Sequence, residues 1–239
     1  MTDKQRMPLP DTLLEARFIE RPNRFLSRVE LDGKVVDSHV PDPGRLQELL
    51  LPGARVLVEP KSGSQRKTKY ATVMVYAGDE LISINSQLPN RFTRFLLDRQ
   101  AIPEFAGWRV KKQEYPLGSS RFDFLLERGR EQKLLEVKSV TLVEDGVARF
   151  PDAVTERGRR HVEHLAGAIN EVRSSTVLFI VQRSDAQRFE PHWGRDPAFA
   201  AALRKSSQLG LDILVYTSRI EPGGMTLIRR IPVNMDNHA

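Results

Sequence analysis

The stretch Arg121–Leu142, RFDFLLERGREQKLLEVKSVTL, sets Asp123, Glu136 and Lys138 inside two runs that otherwise read as buried β-strand. Between the runs, Gly129-Arg130 has the composition of a two-residue hairpin turn, with glycine first as a type II′ turn prefers. Facing residues then carry numbers that sum to 259, so Asp123 lies opposite Glu136. Lys138, two residues on, shares their face. Like charges directly opposite in a sheet cost roughly 0.2–1 kcal/mol, and more once desolvated. A hard divalent cation removes that cost, because Mg2+ takes oxygen ligands, uses one or two carboxylates and keeps several waters. Lys138 then stands where it holds or helps deprotonate a water beside the ion, which is the equipment for phosphodiester hydrolysis. The plainer alternative is a solvated hairpin face with Lys138 and Arg121 as ion-pair partners. Against it stand the apolar neighbours of Glu136 and Lys138 in LLEVKSVTL. A slipped turn would separate the acids.

The rest of the chain constrains what such a site serves. With 239 residues, 40% of them hydrophobic, there is enough apolar surface for one large domain or two small ones. There is no cysteine, which excludes disulfides and thiolate metal sites and leaves carboxylates, imidazoles, carbonyls and water as ligands. MTDKQRMPLP has no apolar signal core, and the longest apolar run, TVLFIV at 176–181, is too short to span a bilayer. A cytoplasmic protein without membrane association is expected. Lys and Arg exceed Asp and Glu by 37 to 31, with a pI of about 9.7, which favours anionic partners. Up to Ser86 the balance is 13 to 12 and beyond it 24 to 19, so most of the excess is C-terminal.

The expected fold class is α/β, an N-terminal OB-like β-barrel over residues 1–86 followed by a mixed-sheet α/β domain over 87–239. In the first part LLEARFIE, RFLSRVEL, KVVDSHV, ARVLVEP and ATVMVYA with ELISINS alternate as short strands, and Asp32-Gly33 marks a tight hairpin. RLQELL reads as a short helix between the third and fourth strands, the OB-like arrangement. From Gln87 the rhythm changes. LPNRFTRFLLDRQ carries Phe92, Phe95 and Leu96 on one helical stripe, and strands follow near 108–115, 121–126 and 133–142. A helix begins near Thr155, with Val162, Leu165, Ala166, Ile169 and Val172 expected to face the core. TVLFIV and LDILVYT read as buried strands with AFAAALRKSSQ as a helix between them.

Candidate nucleic-acid contacts follow from charge and aromatic placement. Arg17, Arg24, Phe25 and Arg28 put basic and aromatic groups on or beside the first two strands, where a base could stack on Phe25. The alternative is that Phe18 and Phe25 are both barrel core. The run KSGSQRKTKY carries Lys61, Arg66, Lys67 and Lys69 in a loop that could grip phosphates, or simply be solvated. Arg157, His161 and His164 share a helical stripe; Arg157 could clamp a phosphate, while a solvated face or histidines hydrogen-bonded against the sheet are the alternatives. HVEH lacks the spacing of a zinc-protease helix, so zinc is not expected.

The stretches RFLSRVELDG, SHVPDPGRLQELLLPG, QLPNRF, SRFDFLL, LLEVKSVTL and FPDAVTERGRRHVEHL, in this order, resemble the sugar fermentation stimulation protein family, SfsA. FPDAVTERG next to EVKSVTL is the most specific of them. The resemblance implies an N-terminal OB-like domain, a C-terminal domain of the PD-(D/E)XK nuclease type, nucleic-acid binding, a proposed nuclease activity and a link to sugar-utilisation genes. It assigns Asp123 to the second core strand, Glu136 and Lys138 to the E-x-K of the third, and Glu114 as a further acid. The implied metal set is Asp123, Glu136 and Val137, with Mg2+ or Mn2+ bound. The chain departs from the family at Val40-Pro41-Asp42-Pro43-Gly44, where a Cys-Pro-Asn-Thr-Gly run is usual, and at Phe122, where the motif has proline.

The expected function is therefore a DNA- or RNA-binding, divalent-metal-dependent nuclease. The alternatives are a non-cutting DNA-binding regulator and, third, a hydrolase of small phosphorylated molecules.

Overall fold

The computed structural model of the protein describes residues 3–10, 12–63 and 66–236. A short strand β1 (Arg6–Pro8) precedes β2 (Leu14–Asn23), β3 (Leu26–Leu31), β4 (Lys34–His39), β5 (Arg55–Pro60) and β6 (Tyr70–Ala77). The last five close into a barrel in the order β2-β3-β4-β6-β5, antiparallel except between β4 and β6. Alternation along each strand points Ala16, Phe18, Val29, Val56, Val58 and Val75 inward. Asp32 and Gly33 both have positive φ, 51° and 71°, as the tight β3–β4 hairpin requires. The OB-like barrel is present.

The helix expected over RLQELL is a single turn, with the Leu50 N–H donating to the Leu46 carbonyl at 2.9 Å. Leu46 sits at φ 51°, outside helical geometry, and six residues cannot repay helix nucleation by themselves. The segment is instead held from outside. The Arg21 guanidinium donates to the carbonyls of Arg24, Asp42, Gly44 and Arg45 at 2.6–2.8 Å. So fastened, Leu46, Leu49 and Leu50 plug the barrel core.

The remaining elements are β7 (Glu80–Ser83), α1 (Leu88–Asp98), β8 (Arg109–Leu117), β9 (Ser120–Arg128), β10 (Glu131–Val140), β11 (Val143–Glu144), β12 (Val147–Phe150), α2 (Glu156–Gly167), β13 (Arg173–Val181), β14 (Arg188–Pro191), α3 (Pro197–Gln208), β15 (Asp212–Glu221) and β16 (Gly224–Arg230). β10, β13 and β15 run parallel, with β9 and then β8 added antiparallel at one side and β16 antiparallel to β15 at the other. α1 packs through Leu88, Phe92 and Leu96 on one face, and α2 and α3 pack through Val162, Leu165, Phe199 and Leu203 on the other. β7 pairs with both β6 and β15, making the barrel and the mixed sheet one continuous path.

Three features differ from expectation. β1 falls within residues 1–86 but pairs with β16, so the chain starts on the C-terminal sheet. α2 stops at Gly167, which leaves Val172 beyond the helix and 55% exposed. β11, β12 and β14 form a small separate sheet, too short for periodicity to mark. Among the described residues no helix is long and apolar enough to cross a membrane.

The Arg21 contacts predict a large effect from one side chain. Arg21→Ala should lower stability on the order of 3 kcal/mol, read from the urea midpoint at constant slope, because carbonyls lose a charged donor. Arg21→Lys should recover only part, since an ammonium lacks the planar fork. A loss below about 1 kcal/mol for Arg21→Ala would show that the turn holds itself.

Candidate active site

The hairpin register is the expected one: Glu131 pairs with Arg128 and Leu135 with Phe124 around Gly129 at φ 60°. The ladder ends at Phe124, one pair before the acids. On its other side Asp123 falls between the β8 pairs Gln113–Phe124 and Tyr115–Phe122, opposite Glu114, which has φ 50°. The ladder to β10 therefore ends beside Asp123, while the register to β8 is the same on either side of it. The Val137 N–H, left without a β9 carbonyl, donates to Asp123 Oδ2 at 2.7 Å. Asn90 of α1 donates through Nδ2 to Oδ1 at 2.7 Å.

Glu136 is 4% exposed in the middle of the sheet. Its Oε1 accepts from Lys138 Nζ and from His161 Nδ1, both at 2.6 Å. Its Oε2 is buried and has no hydrogen-bond partner among the described residues. Burial pushes the Glu136 carboxyl up, but the Lys138 charge and the His161 hydrogen bond outweigh it and hold it below the ordinary range. Asp123 goes the other way. Burial first, then the Glu136 charge, raise it to about 6 against the Val137 N–H, Lys138 and Asn90. The two neighbouring carboxyls are thus shifted in opposite directions.

These groups form the floor of a cavity of about 500 Å3. One wall comes from the barrel, with Arg24, Asp42, Pro43 and Gly44, and the other from the segment before α2 and its first turn, with Asp152, Ala153, Val154 and Arg157. A Cβ on Gly44 would lie 2.4 Å from Asp152 Oδ2 and 2.9 Å from Asp42 Oδ1, so the walls approach this closely only at glycine. The Arg45 N–H donates across to Asp152 Oδ2 at 2.9 Å, and the Gly44 N–H to Asp42 Oδ1 at 2.7 Å. Asp42, 8% exposed, is itself raised to about 6, chiefly by burial.

Of the residues singled out from sequence, Asp123, Glu136, Val137, Lys138, Arg24 and Arg157 meet at this cavity. Neither Arg24 nor Arg157 makes an ion pair among the described residues. Glu114 is not brought in: its carboxylate is exposed and pairs with Arg121 Nε at 2.9 Å. Arg28 is tied to Glu20 and Asp37, and Arg17, Lys67 and Lys69 are exposed away from the cavity. Ser64 and Gln65 of the basic loop lie outside the described residues. Phe18 is core at 3% exposure, whereas Phe25 is 53% exposed. His161 is hydrogen-bonded against the sheet, and His164 takes Ser120 Oγ at 2.6 Å. Asn90 and Asp152 were not legible as site residues, because each acts through a contact distant in sequence, and Asp42 was not, because only the packed chain buries it.

Among the described residues no three His, Cys, Asp or Glu side chains are placed to hold a metal ion. Two carboxylates with a free buried Oε2, and the Val137 backbone beside them, instead suit a hard cation that keeps waters of its own.

The family model for the sugar fermentation stimulation protein RE domain matches residues 87–224, and that for the SfsA N-terminal OB domain matches residues 19–84. The chain belongs to the sugar fermentation stimulation protein family. A sugar fermentation stimulation protein homolog of Chloroflexus aggregans is 44% identical over 223 residues, 93% of this chain and 86% of that one. Another, of Methanothermobacter thermautotrophicus, is 41% identical over 92% of this chain and 93% of its own. The solved structure of Pyrococcus furiosus SfsA in complex with Ca2+ superimposes with a TM-score of 0.88 at 26% identity, covering 95% of this chain and 98% of that one.

In this SfsA family member, ionisation of Asp123 opposes folding. The folded group keeps its proton to about pH 6 while the ordinary value is 3.8, so its contribution is fully present below 3.8 and is lost as pH rises through 6. In EDTA the wild-type thermal midpoint should fall between pH 4 and 7 more steeply than that of Asp123→Asn, with Asp42 contributing to both. Mg2+ should flatten the wild-type curve alone. Parallel curves for the two proteins in EDTA would mean that Asp123 is not held against its charge.

Proposed function

We propose that this protein binds nucleic acid and hydrolyses phosphodiester bonds in DNA or RNA with Mg2+ or Mn2+. The observation that carries the reading is the buried pair Asp123 and Glu136 at the cavity floor, with Glu136 Oε2 lacking a partner. Asp123, Glu136 and the Val137 carbonyl would hold the ion, which supplies a Lewis acid for phosphate and lowers the pKa of water. The Ca2+ of Pyrococcus furiosus SfsA agrees with a hard, oxygen-seeking cation in this family. Lys138 keeps a cation at the floor that orients an attacking water or a phosphate oxygen. His161 and Lys138 both occupy Oε1, which leaves the buried Oε2 as the unpartnered oxygen of Glu136. Arg24 and Arg157, free of acidic partners, receive the phosphates on either side. The barrel is the binding module and the mixed sheet carries the chemistry.

A non-cutting nucleic-acid-binding regulator is the second reading. It is favoured by the absence of a three-ligand cluster among the described residues and by Oε1 being already taken twice.

Labelled single- and double-stranded DNA and RNA, incubated with Mg2+, Mn2+ or EDTA, separate the two. Wild type should cut only with the metals. Asp123→Asn should lose metal affinity and cutting while keeping binding in EDTA, and Lys138→Ala should cut at least about 10²-fold more slowly. If wild type cuts nothing, or both variants cut at its rate, the regulator reading replaces the nuclease.

A further inference from the structure

The barrel leaves a large aromatic side chain in solvent next in sequence to Arg24. Phe25, in the turn between β2 and β3, is 53% exposed and stacks on His39 with ring centres 6.4 Å apart and planes inclined by 16°. The backbone under it is fastened on every side. Its N–H donates to Asn23 Oδ1 at 2.9 Å, and its carbonyl accepts from the Val40 N–H at 3.0 Å. The Arg24 carbonyl before it accepts from Arg21 at 2.6 Å. A ring held this firmly keeps its outer face open at little further entropic cost on binding.

Phe25 also has a defined position relative to the cavity. Its neighbour Arg24 lines the cavity with Asp123 and Glu136, and Arg157 lines it from the opposite wall. Cation, acid pair and second cation thus line one cavity, and the exposed ring is carried by the residue next to the first cation. The cavity of about 500 Å3 is the size of a pocket that encloses one small ligand, and its walls are tied together by the Arg45–Asp152 hydrogen bond. A duplex presents its phosphates on the outside and keeps its bases turned inward. In a duplex, moreover, each base is already stacked on its neighbours. Only an unpaired base has a face to offer Phe25.

We infer that the substrate of this site is an unpaired nucleic-acid strand, one base stacked on Phe25 over His39 and the adjoining backbone led past Arg24 across the acid pair to Arg157. The inference rests on the phosphodiesterase reading above and narrows it to single strands, loops, flaps or frayed ends. Stacking on a phenyl ring is open to every base, so the grip is tolerant of sequence. Glu20 and Asp37 neutralise Arg28 farther along the same strands, which concentrates the free positive charge at Arg24.

The test measures fluorescence anisotropy of a labelled mixed-sequence oligonucleotide, as single-stranded DNA, single-stranded RNA and blunt duplex, in EDTA. Wild type should prefer the single strands. Phe25→Ala should bind them roughly tenfold more weakly with unchanged duplex affinity, and Phe25→Trp should restore or exceed wild-type affinity. Because Phe25 is at the surface, unaltered thermal midpoints check that the variants fold. Equal single-strand binding by wild type and Phe25→Ala, or a wild-type preference for duplex, would overturn the inference. Cutting by wild type in Mg2+ is scored separately on the same molecules. Cutting with no dependence on Phe25 defeats this inference and leaves the nuclease reading standing, whereas Phe25-dependent binding with no cutting defeats the nuclease and keeps the strand site.

Discussion

A carboxylate charge in the middle of a sheet is the constraint around which the C-terminal part is organised. Glu136 lies on the strand between β9 and β13, where desolvation alone would neutralise it. It stays ionised because Lys138 and His161 both reach Oε1, one from its own strand and one from α2. α2 must therefore dock with His161 inward. That docking is set by the Thr155 cap on the Gly158 N–H and by Asp196, which receives the Thr155 N–H and caps α3 as well. Burial first, and then the ionised Glu136, raise Asp123 to about 6.

A second constraint concerns the barrel. Its loop 41–45 has little regular structure of its own and gets its shape from Arg21, whose planar fork reaches carbonyls that no helix satisfies. The shape matters because Gly44 and Arg45 then meet Asp152 across the cleft. Gly44 permits the close approach, while Asp42 beside it is an acid that burial holds at about 6. The cavity wall is thus a joint between two parts of the chain.

Much of the architecture was legible from local rules. Asp32-Gly33 and Gly129-Arg130 announce their turns through the backbone conformations that glycine permits, and the second turn sets which residues of β9 and β10 pair. Short apolar stretches between turn residues marked the barrel strands, and the 3.6-residue stripe marked α1. Where local rules misled, a distant contact had taken over: Arg21 replaced a helix by a turn at 45–50, and β16 drew β1 away from the barrel. The family resemblance implied Glu114 as a further acid, and its backbone at φ 50° accompanies a carboxylate turned to Arg121 in solvent.

By itself the sequence determined the hairpin that carries Asp123, Glu136 and Lys138, because turn chemistry and a two-residue side-chain period act between neighbours in the chain. Tertiary structure alone decided the state of those groups. Asn90, 33 residues from Asp123, and His161, 25 residues from Glu136, supply the hydrogen bonds that orient them. Burial then separates their proton affinities, and burial is a property of the packed chain. It likewise left Phe25 outside and Phe18 within, though both lie in barrel segments that read alike, since only the closed barrel determines which ring has an interior to enter.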